Sequence, residues 1–159
     1  MAEQEGEEKV KKYYFAYGSN MKLKCLQEWC KIKEYQINLK NPFPTELIDY
    51  EPIFNKRSTK WDWAMNIVKS QTGDSVWGVL FETDEDFIEK LDEKEKGYVR
   101  IEVEVLNSEG ELVKATTYIA KAEDRQKPNK KYIDIIIEGA NEQGLPKEYI
   151  TDYLMPYAK

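Results

Sequence analysis

The sequence predicts an α+β fold, in which a strongly curved sheet or small barrel of mainly antiparallel strands is flanked by helices. Short runs of alternating apolar residues predict several strands, and amphipathic runs at helical spacing predict helices between and after them. Strands and helices do not alternate regularly, which disfavours a parallel α/β sheet. A chain of 159 residues fits one domain, and no internal repeat or linker divides it.

The first predicted elements are a charged tail, a strand and a helix. Residues 1–11 are predicted to be a mobile charged tail, and residues 12–159 a single domain. An aromatic run predicts a strand over about 13–18, and a helix is predicted over about 21–31. One face of this helix carries the apolar residues Leu23, Leu26, Trp29 and Cys30.

The turn between that strand and that helix, Gly18-Ser19-Asn20, predicts a site for an anion. Glycine permits a tight turn, and Ser19 or Asn20 can cap the helix that follows. Several free backbone N–H groups then point at one spot, which suits a carboxylate, a phosphate or a developing oxyanion. The turn by itself does not select among these three.

The middle of the chain is predicted to be mostly β-structure. Alternation over 34–39 predicts a half-buried strand. Two further strands are predicted over 64–68 and 75–81, joined around Thr72-Gly73-Asp74. Three prolines mark the stretch before them as a loop or an edge strand: Pro42, Pro44 and Pro52.

The second half begins with the capping pattern Thr83-Asp84-Glu85-Asp86, which predicts a helix that ends before Gly97. The clearest alternation, over 99–105, predicts a strand that turns back into a partner strand over 112–119. Two short helices are predicted at the end, one before Gly144 and one after Pro146.

Composition excludes several classes of function. A formal net charge of −6 argues against general nucleic-acid binding, and the absence of histidine removes the commonest general base and zinc ligand. Cys25 and Cys30 would lie about 140° apart around a helix, so they are predicted to be buried thiols in a reducing compartment. No segment approaches the roughly 20 apolar residues that span a membrane, so a cytoplasmic protein is expected.

Four motifs stand in order along the chain. They are Tyr17-Gly18-Ser19-Asn20, Val76-Trp77-Gly78-Val79, Leu91-Asp92-Glu93-Lys94-Glu95 ahead of Tyr98, and the segment from Gly139 to Tyr149. Together they resemble the γ-glutamylcyclotransferase family. The resemblance extends over about residues 13–150, and the ordered set is more specific than any one motif.

The resemblance implies an enzyme that converts a γ-glutamyl amino acid or amine to 5-oxoproline and a free amine. It also implies a small mixed β-barrel with flanking helices. Glu95 falls on the family's catalytic glutamate, which acts as general base and then acid. The loop that holds the γ-glutamyl group would be Tyr17, Gly18, Ser19 and Asn20, and the pocket tyrosines would be Tyr98, Tyr118 and Tyr132.

The implied partners are few. The resemblance implies a small-molecule γ-glutamyl substrate, and related enzymes suggest a homodimer. Neither a cofactor nor a metal ion is expected, and neither nucleic acid nor a membrane is an expected partner.

The implied reaction fits a chain without histidine, because the substrate's own α-amine attacks its γ-carbonyl carbon. Well-placed intramolecular reactions reach effective molarities on the order of 10⁵–10⁸ M, so no enzyme nucleophile is required. The protein must remove a proton, stabilise the oxyanion and reprotonate the leaving amine. One carboxylate can perform the first and third tasks. The N–H groups of the turn would receive either the oxyanion or the substrate's α-carboxylate.

Two departures from the family pattern leave other interpretations open. Lys60-Trp61-Asp62-Trp63 and Lys96 stand where related sequences often have glycine, and both flank the expected cavity. They leave the released amine undetermined. They also motivate an alternative function, a non-catalytic module that binds small carboxylates or γ-glutamyl metabolites on the same fold. A third interpretation is a structural α+β domain whose aromatic face contacts partners.

Overall fold

The computed structural model describes residues 10–58, 62–70, 73–120 and 128–158. The tail predicted over 1–11 therefore lies outside the described residues, except for Val10 and Lys11, which are exposed. Within these four ranges, no helix is both long enough and apolar enough to cross a membrane.

A mixed sheet of five strands forms the centre of the fold. The strands of the described residues are β1 (Lys12–Ala16), β2 (Lys40–Ile48), β3 (Tyr50–Ser58), β4 (Asp62–Lys69), β5 (Ser75–Thr83), β6 (Val99–Leu106) and β7 (Leu112–Ile119). The sheet has the order β2–β5–β1–β7–β6, while β3 and β4 pair separately. β1 runs parallel to β7, and the remaining pairs are antiparallel. The predicted α+β class with mainly antiparallel strands is confirmed.

The predicted barrel is not formed in the part of the chain that the structure describes. The edge strands β2 and β6 approach each other, and the Thr45 hydroxyl donates to the Leu106 carbonyl oxygen at 2.7 Å. No backbone ladder joins these two strands among the described residues. β2 contains Pro42 and Pro44, which have no N–H to donate, and its register shifts between Lys40 and Phe43. The sheet therefore stays open along this edge, which is where strands that contain proline are usually found.

A buried amide, that of Asn66, links the hairpin of β3 and β4 to the main sheet. The Asn66 side chain accepts from Ala120 N at 2.9 Å and donates to Ala120 O at 3.1 Å. It also donates to Asn55 Oδ1 at 3.1 Å, which ties the two hairpin strands together. The strands predicted over 64–68 and 75–81 are both present, but they belong to different sheets.

The helices surround this sheet. The described residues contain a 3₁₀ turn (Ser19–Met21), α1 (Leu23–Lys33), α2 (Glu85–Lys94), α3 (Lys130–Glu142) and α4 (Lys147–Tyr149), which continues into a π turn (Ile150–Leu154) and a 3₁₀ turn (Met155–Ala158). The predicted helix α2 is confirmed, but its N-cap is Asp84 and not Thr83, the first residue of the capping pattern: the Asp84 side chain accepts from Phe87 N at 3.0 Å.

The strand predicted over 34–39 is wrong. α1 ends in a left-handed residue, Glu34 (φ 61), and the chain then follows an irregular path until β2. This segment is hydrogen-bonded by a side chain and not by a neighbouring strand: the Thr83 hydroxyl donates to Asn38 O at 2.6 Å. The apolar alternation does indicate which side chains are partly buried, because Tyr35, Ile37 and Leu39 pack against the core.

Candidate active site

A cavity of about 860 Å³ lies where β1, β7, α2 and α3 meet the hairpin of β3 and β4. All the residues predicted for the site line this cavity, namely Tyr17, Gly18, Ser19, Asn20, Glu95, Tyr98, Tyr118 and Tyr132. The residues were singled out from segments far apart in the sequence. The fold brings them to one place.

The turn after β1 directs Asn20 inward. The side chain is 5% exposed, and its Nδ2 donates to the Tyr14 hydroxyl at 2.8 Å. The prediction that Ser19 or Asn20 caps α1 is wrong, because Lys22 is the N-cap and it has no side-chain cap bond. The amide of Asn20 binds groups inside the cavity instead.

The backbone hydrogen bonds of the same turn bear on the predicted anion site. The 3₁₀ turn closes through Met21 N to Gly18 O at 3.0 Å and Lys22 N to Ser19 O at 3.1 Å. Within the described residues, the N–H groups of Ser19 and Asn20 donate to no backbone acceptor, as is usual for the first residues of a helical turn. The two N–H groups on which the predicted anion site depends are therefore not taken up by the backbone bonds of the turn, and the anion site itself stays a prediction.

Glu95 is the first residue after α2, at the corner that leads into β6. Its backbone N–H donates to Leu91 O at 2.8 Å, and its carbonyl accepts from Tyr98 N at 3.1 Å. The side chain is 17% exposed, and its Oε2 accepts from Asn20 Nδ2 at 3.2 Å. Among the described residues, no hydrogen bond falls on Oε1. The carboxylate is thus held through Oε2.

Lys94 and Tyr14 were missed by the sequence reasoning. The Lys94 ammonium donates to Asn20 Oδ1 at 2.8 Å and lies 3.7 Å from Glu95 Oε2. In the sequence, Lys94 is one of several consecutive charges at a helix end, a pattern that is more often solvated. Tyr14 could have been found as an alternate residue of an aromatic strand, but core packing explains such a position equally well.

Two predicted tyrosines bind the same backbone unit of the hairpin. The Tyr98 hydroxyl donates to Met65 O at 2.5 Å, and the Tyr132 hydroxyl accepts from Met65 N at 2.9 Å. Burial is the largest cause that raises the pKa of both hydroxyls above the usual value. Both therefore stay protonated and serve as hydrogen-bonding and packing groups, not as bases.

Tyr17 and Tyr118 are also bound by the protein. The Tyr17 hydroxyl donates to the Tyr118 carbonyl oxygen at 2.6 Å, and the Tyr118 hydroxyl donates to Asp92 Oδ1 at 2.7 Å. Asp92 in turn pairs with the Arg100 guanidinium, and this bonding holds the pKa of the Asp92 carboxyl below its usual range. Burial raises the pKa of both tyrosine hydroxyls. Their rings line the cavity, and their hydroxyl groups form hydrogen bonds that fix the rings in place.

α3 positions the turn through a glycine. A Cβ on Gly139 would lie 2.7 Å from Lys22 N and 2.9 Å from Met21 C, so the helix packs directly on the backbone of the turn. Gly139 is therefore a packing residue. Gly144 has φ +79, and Leu145 N donates to Ala140 O at 3.0 Å, which is the expected end of a helix at glycine.

The departures noted in the sequence are only partly described. Lys96 is exposed and lines the cavity, and the next residue, Gly97, has φ +86. Lys60 and Trp61 lie outside the described residues, so the predictions that concern them are not addressed. Across the described ranges, no group of three or more acidic or cysteine side chains could hold a metal ion.

Comparison with known proteins gives consistent matches. A chain from Mus musculus named gamma-glutamylcyclotransferase is 34% identical over 161 residues, which covers 93% of this chain and 78% of the relative. The Homo sapiens protein of the same name is 34% identical over 149 residues, covering 86% and 73%. This chain belongs to the γ-glutamylcyclotransferase family. The resemblance inferred from the four motifs is confirmed.

Two further matches agree with membership of the γ-glutamylcyclotransferase family. A solved structure named gamma-glutamyl cyclotransferase superposes with a TM-score of 0.74 at 31% identity, covering 91% of this chain and 86% of that one. The model of the AIG2-like family matches residues 75–153, which include α2, Glu95 and the hairpin of β6 and β7.

Proposed function

We propose that this member of the γ-glutamylcyclotransferase family converts a γ-glutamyl amino acid or amine to 5-oxoproline and the free amine. The observation that supports it best is the contact of Asn20 with Glu95. It joins the anion-binding turn to a half-buried carboxylate inside one cavity. Two relatives named gamma-glutamylcyclotransferase are 34% identical to this chain, and the matched region covers 78% and 73% of their lengths.

Glu95 would act first as the general base. Its Oε1 takes a proton from the substrate's α-ammonium, and the freed amine attacks the γ-carbonyl carbon to close the five-membered ring. The bond from that carbon to the leaving nitrogen then breaks, and Glu95 returns a proton to this nitrogen. Over the whole reaction the α-nitrogen loses two protons and the leaving nitrogen gains two, because it departs as an ammonium ion. The carboxylate is unchanged at the end.

The turn would bind the negative charge of the substrate. The N–H groups of Ser19 and Asn20 can donate to the tetrahedral oxyanion or to the α-carboxylate. The Tyr14 hydroxyl accepts from Asn20, so its own proton can be donated to the substrate. The neutral tyrosine rings would form the walls around the reacting groups.

Incubation of the purified protein with γ-glutamyl-alanine tests the proposal, with 5-oxoproline and alanine as the measured products. We expect stoichiometric release of both. Glu95→Gln should lower kcat by at least about a hundredfold, which is the usual contribution of a general acid–base group. The same variant should bind 5-oxoproline with a similar Kd, because Gln keeps the size of the side chain.

Glu93→Gln is the matched control, because Glu93 lies on the same helix and its carboxylate accepts from the exposed Tyr35 hydroxyl. It should leave kcat unchanged. Full activity of Glu95→Gln would contradict the role of Glu95. Saturable binding of 5-oxoproline, with no turnover across a panel of γ-glutamyl compounds, would instead support the binding module.

A cytoplasmic homodimer is also part of the proposal. The dimer rests on the resemblance to related enzymes, and the location is supported by Cys25 and Cys30, which are free thiols. Size-exclusion chromatography with light scattering should give twice the mass of the chain. A monomer at all concentrations would contradict the dimer without affecting the proposed chemistry.

A further inference from the structure

We propose that Lys94 is a positioning residue, which fixes the side-chain amide of Asn20 so that its NH₂ group faces Glu95. This inference rests on the proposed function, because it assigns a task to a neighbour of the proposed general base. Neither the motif resemblance nor the charge pattern of the sequence gives Lys94 a task.

The first step of the argument is the contact itself. Lys94 is the last residue of α2, and its side chain is 19% exposed, although it lies in a run of charged residues. Its ammonium donates to Asn20 Oδ1 at 2.8 Å. Asn20 is buried, so this hydrogen bond forms away from bulk water and is costly to leave unmade.

The second step is the direction of the amide. An asparagine side chain has nearly the same shape when its oxygen and nitrogen are exchanged, so packing alone does not fix it. An ammonium has three donors and no acceptor, and Lys94 can therefore pair only with the amide oxygen. The NH₂ group is then turned towards Glu95 Oε2, at 3.2 Å, and the Tyr14 hydroxyl, at 2.8 Å.

The third step is the consequence for Glu95. If the amide rotated by 180°, Oδ1 would face the carboxylate of Glu95, and two acceptors would repel each other. Glu95 would lose the hydrogen bond on Oε2 that leaves Oε1 available for the substrate. A displacement of about 1 Å at a catalytic group can cost about a hundredfold in rate. Loss of Lys94 should therefore lower kcat more than it changes KM.

Two Lys94 variants separate the hydrogen bond from the side chain's bulk. Lys94→Met removes the donor at similar length, and we expect kcat for γ-glutamyl-alanine to fall by about ten- to a hundredfold with KM within about threefold. Lys94→Gln keeps an amide donor and should recover most of kcat. The matched control is Lys90→Met, since Lys90 is one turn earlier on α2 and lies over the Tyr35 ring, outside this cavity. The control should keep the wild-type kcat.

A double-mutant cycle tests whether Lys94 acts through Asn20. If it does, Lys94→Met should have little further effect in an Asn20→Ala background, because the group that it orients is gone. Additive losses of kcat would overturn the proposal. A Lys94→Met variant with wild-type kcat, or a Lys94→Gln variant as slow as Lys94→Met, would also overturn it.

A readout without turnover separates this inference from the proposed function. The side-chain NH₂ signals of Asn20 can be assigned in a ¹H–¹⁵N spectrum by their loss in Asn20→Ala. They should shift and exchange faster with water in Lys94→Met, and stay close to wild type in Lys94→Gln and Lys90→Met. Unchanged signals in Lys94→Met would overturn the positioning role, whatever reaction the protein catalyses. Absence of 5-oxoproline from the wild-type protein would instead overturn the proposed function.

Discussion

Asn20 Nδ2 donates to Glu95 Oε2 at 3.2 Å, across 75 residues of sequence. The pairing of β1 with β5 explains the encounter. The two strands are antiparallel, so Lys12 at the start of β1 pairs with Thr83 at the end of β5, and Ala16 at the end of β1 pairs with Val79 in the middle of β5. α2 begins directly after β5, and its ten residues return about 15 Å along the sheet. The end of α2 therefore meets the turn that follows β1.

Asn20→Ala should lower kcat/KM for γ-glutamyl-alanine by at least about tenfold. The substitution removes the hydrogen bond on Glu95 and leaves Lys94 without its acceptor, and displaced catalytic groups lose rate steeply. The measurement is a steady-state assay of 5-oxoproline. Asn38→Ala is the control, because Asn38 donates to Asp84 Oδ2 at 2.9 Å, outside this cavity. Equal kcat/KM in the two variants would argue against a specific role for Asn20.

Gly139→Ala should destabilise the protein by about 1–3 kcal/mol and lower kcat. The new Cβ would meet Lys22 N at 2.7 Å, so α3 or the turn must move. Alanine favours a helix over glycine by only about 1 kcal/mol, which does not offset this clash. Urea unfolding and the 5-oxoproline assay provide the two measurements, with the exposed Glu142→Ala as the control on the same helix. If Gly139→Ala were more stable than the wild type, the turn would have moved away from the new Cβ at little cost in free energy.

Asn66→Ala should reduce the free energy of unfolding by about 2–5 kcal/mol. Asn66 is 0% exposed, and its amide binds both backbone groups of Ala120 and the side chain of Asn55. Each net hydrogen bond is worth about 1 kcal/mol, and partners left unsatisfied cost more. The exposed Asn141→Ala should change the urea midpoint little. A loss below about 1 kcal/mol for Asn66→Ala would mean that water replaces the amide.

The pair of Asp92 and Arg100 predicts a pH dependence of stability. Hydrogen bonds from Arg100 are the largest cause that lowers the pKa of the Asp92 carboxyl in the folded state. A lowered pKa adds stability that is present above the unfolded pKa, near about 3.9, and is lost as pH falls through the folded pKa. The Asp92 side chain is 41% exposed, so the effect is small and weakens with salt.

Thermal unfolding from pH 2 to pH 6 checks this prediction, with Arg100→Met compared with the wild type. Below about pH 4, the stability of Arg100→Met should fall less steeply than that of the wild type. Protonation of Asp92 costs less in the folded state when Arg100 is absent. At high salt, the dependence of stability on pH should become similar in the wild type and in Arg100→Met. Parallel curves at low salt would contradict the assignment.

Local patterns determined much of the fold in advance. The capping pattern over 83–86 and the alternation over 99–105 predicted α2 and β6 correctly, because both depend on neighbours within a few residues. Alternation over 34–39 failed, since alternate burial does not require a partner strand. The predicted barrel does not close among the described residues, where the edge strand β2 contains Pro42 and Pro44, which have no N–H to donate to a further ladder.

The sequence by itself determined the family, the turn at Gly18-Ser19-Asn20 and, through the family resemblance, the choice of Glu95 as the candidate carboxylate. These follow from ordered motifs and from the absence of histidine. Only the tertiary structure decided which groups surround Glu95. A periodic pattern encodes whether a side chain is buried, but not which distant side chain it meets. The return of α2 along the sheet brings Lys94 to Asn20, and that contact sets which side of the amide faces Glu95.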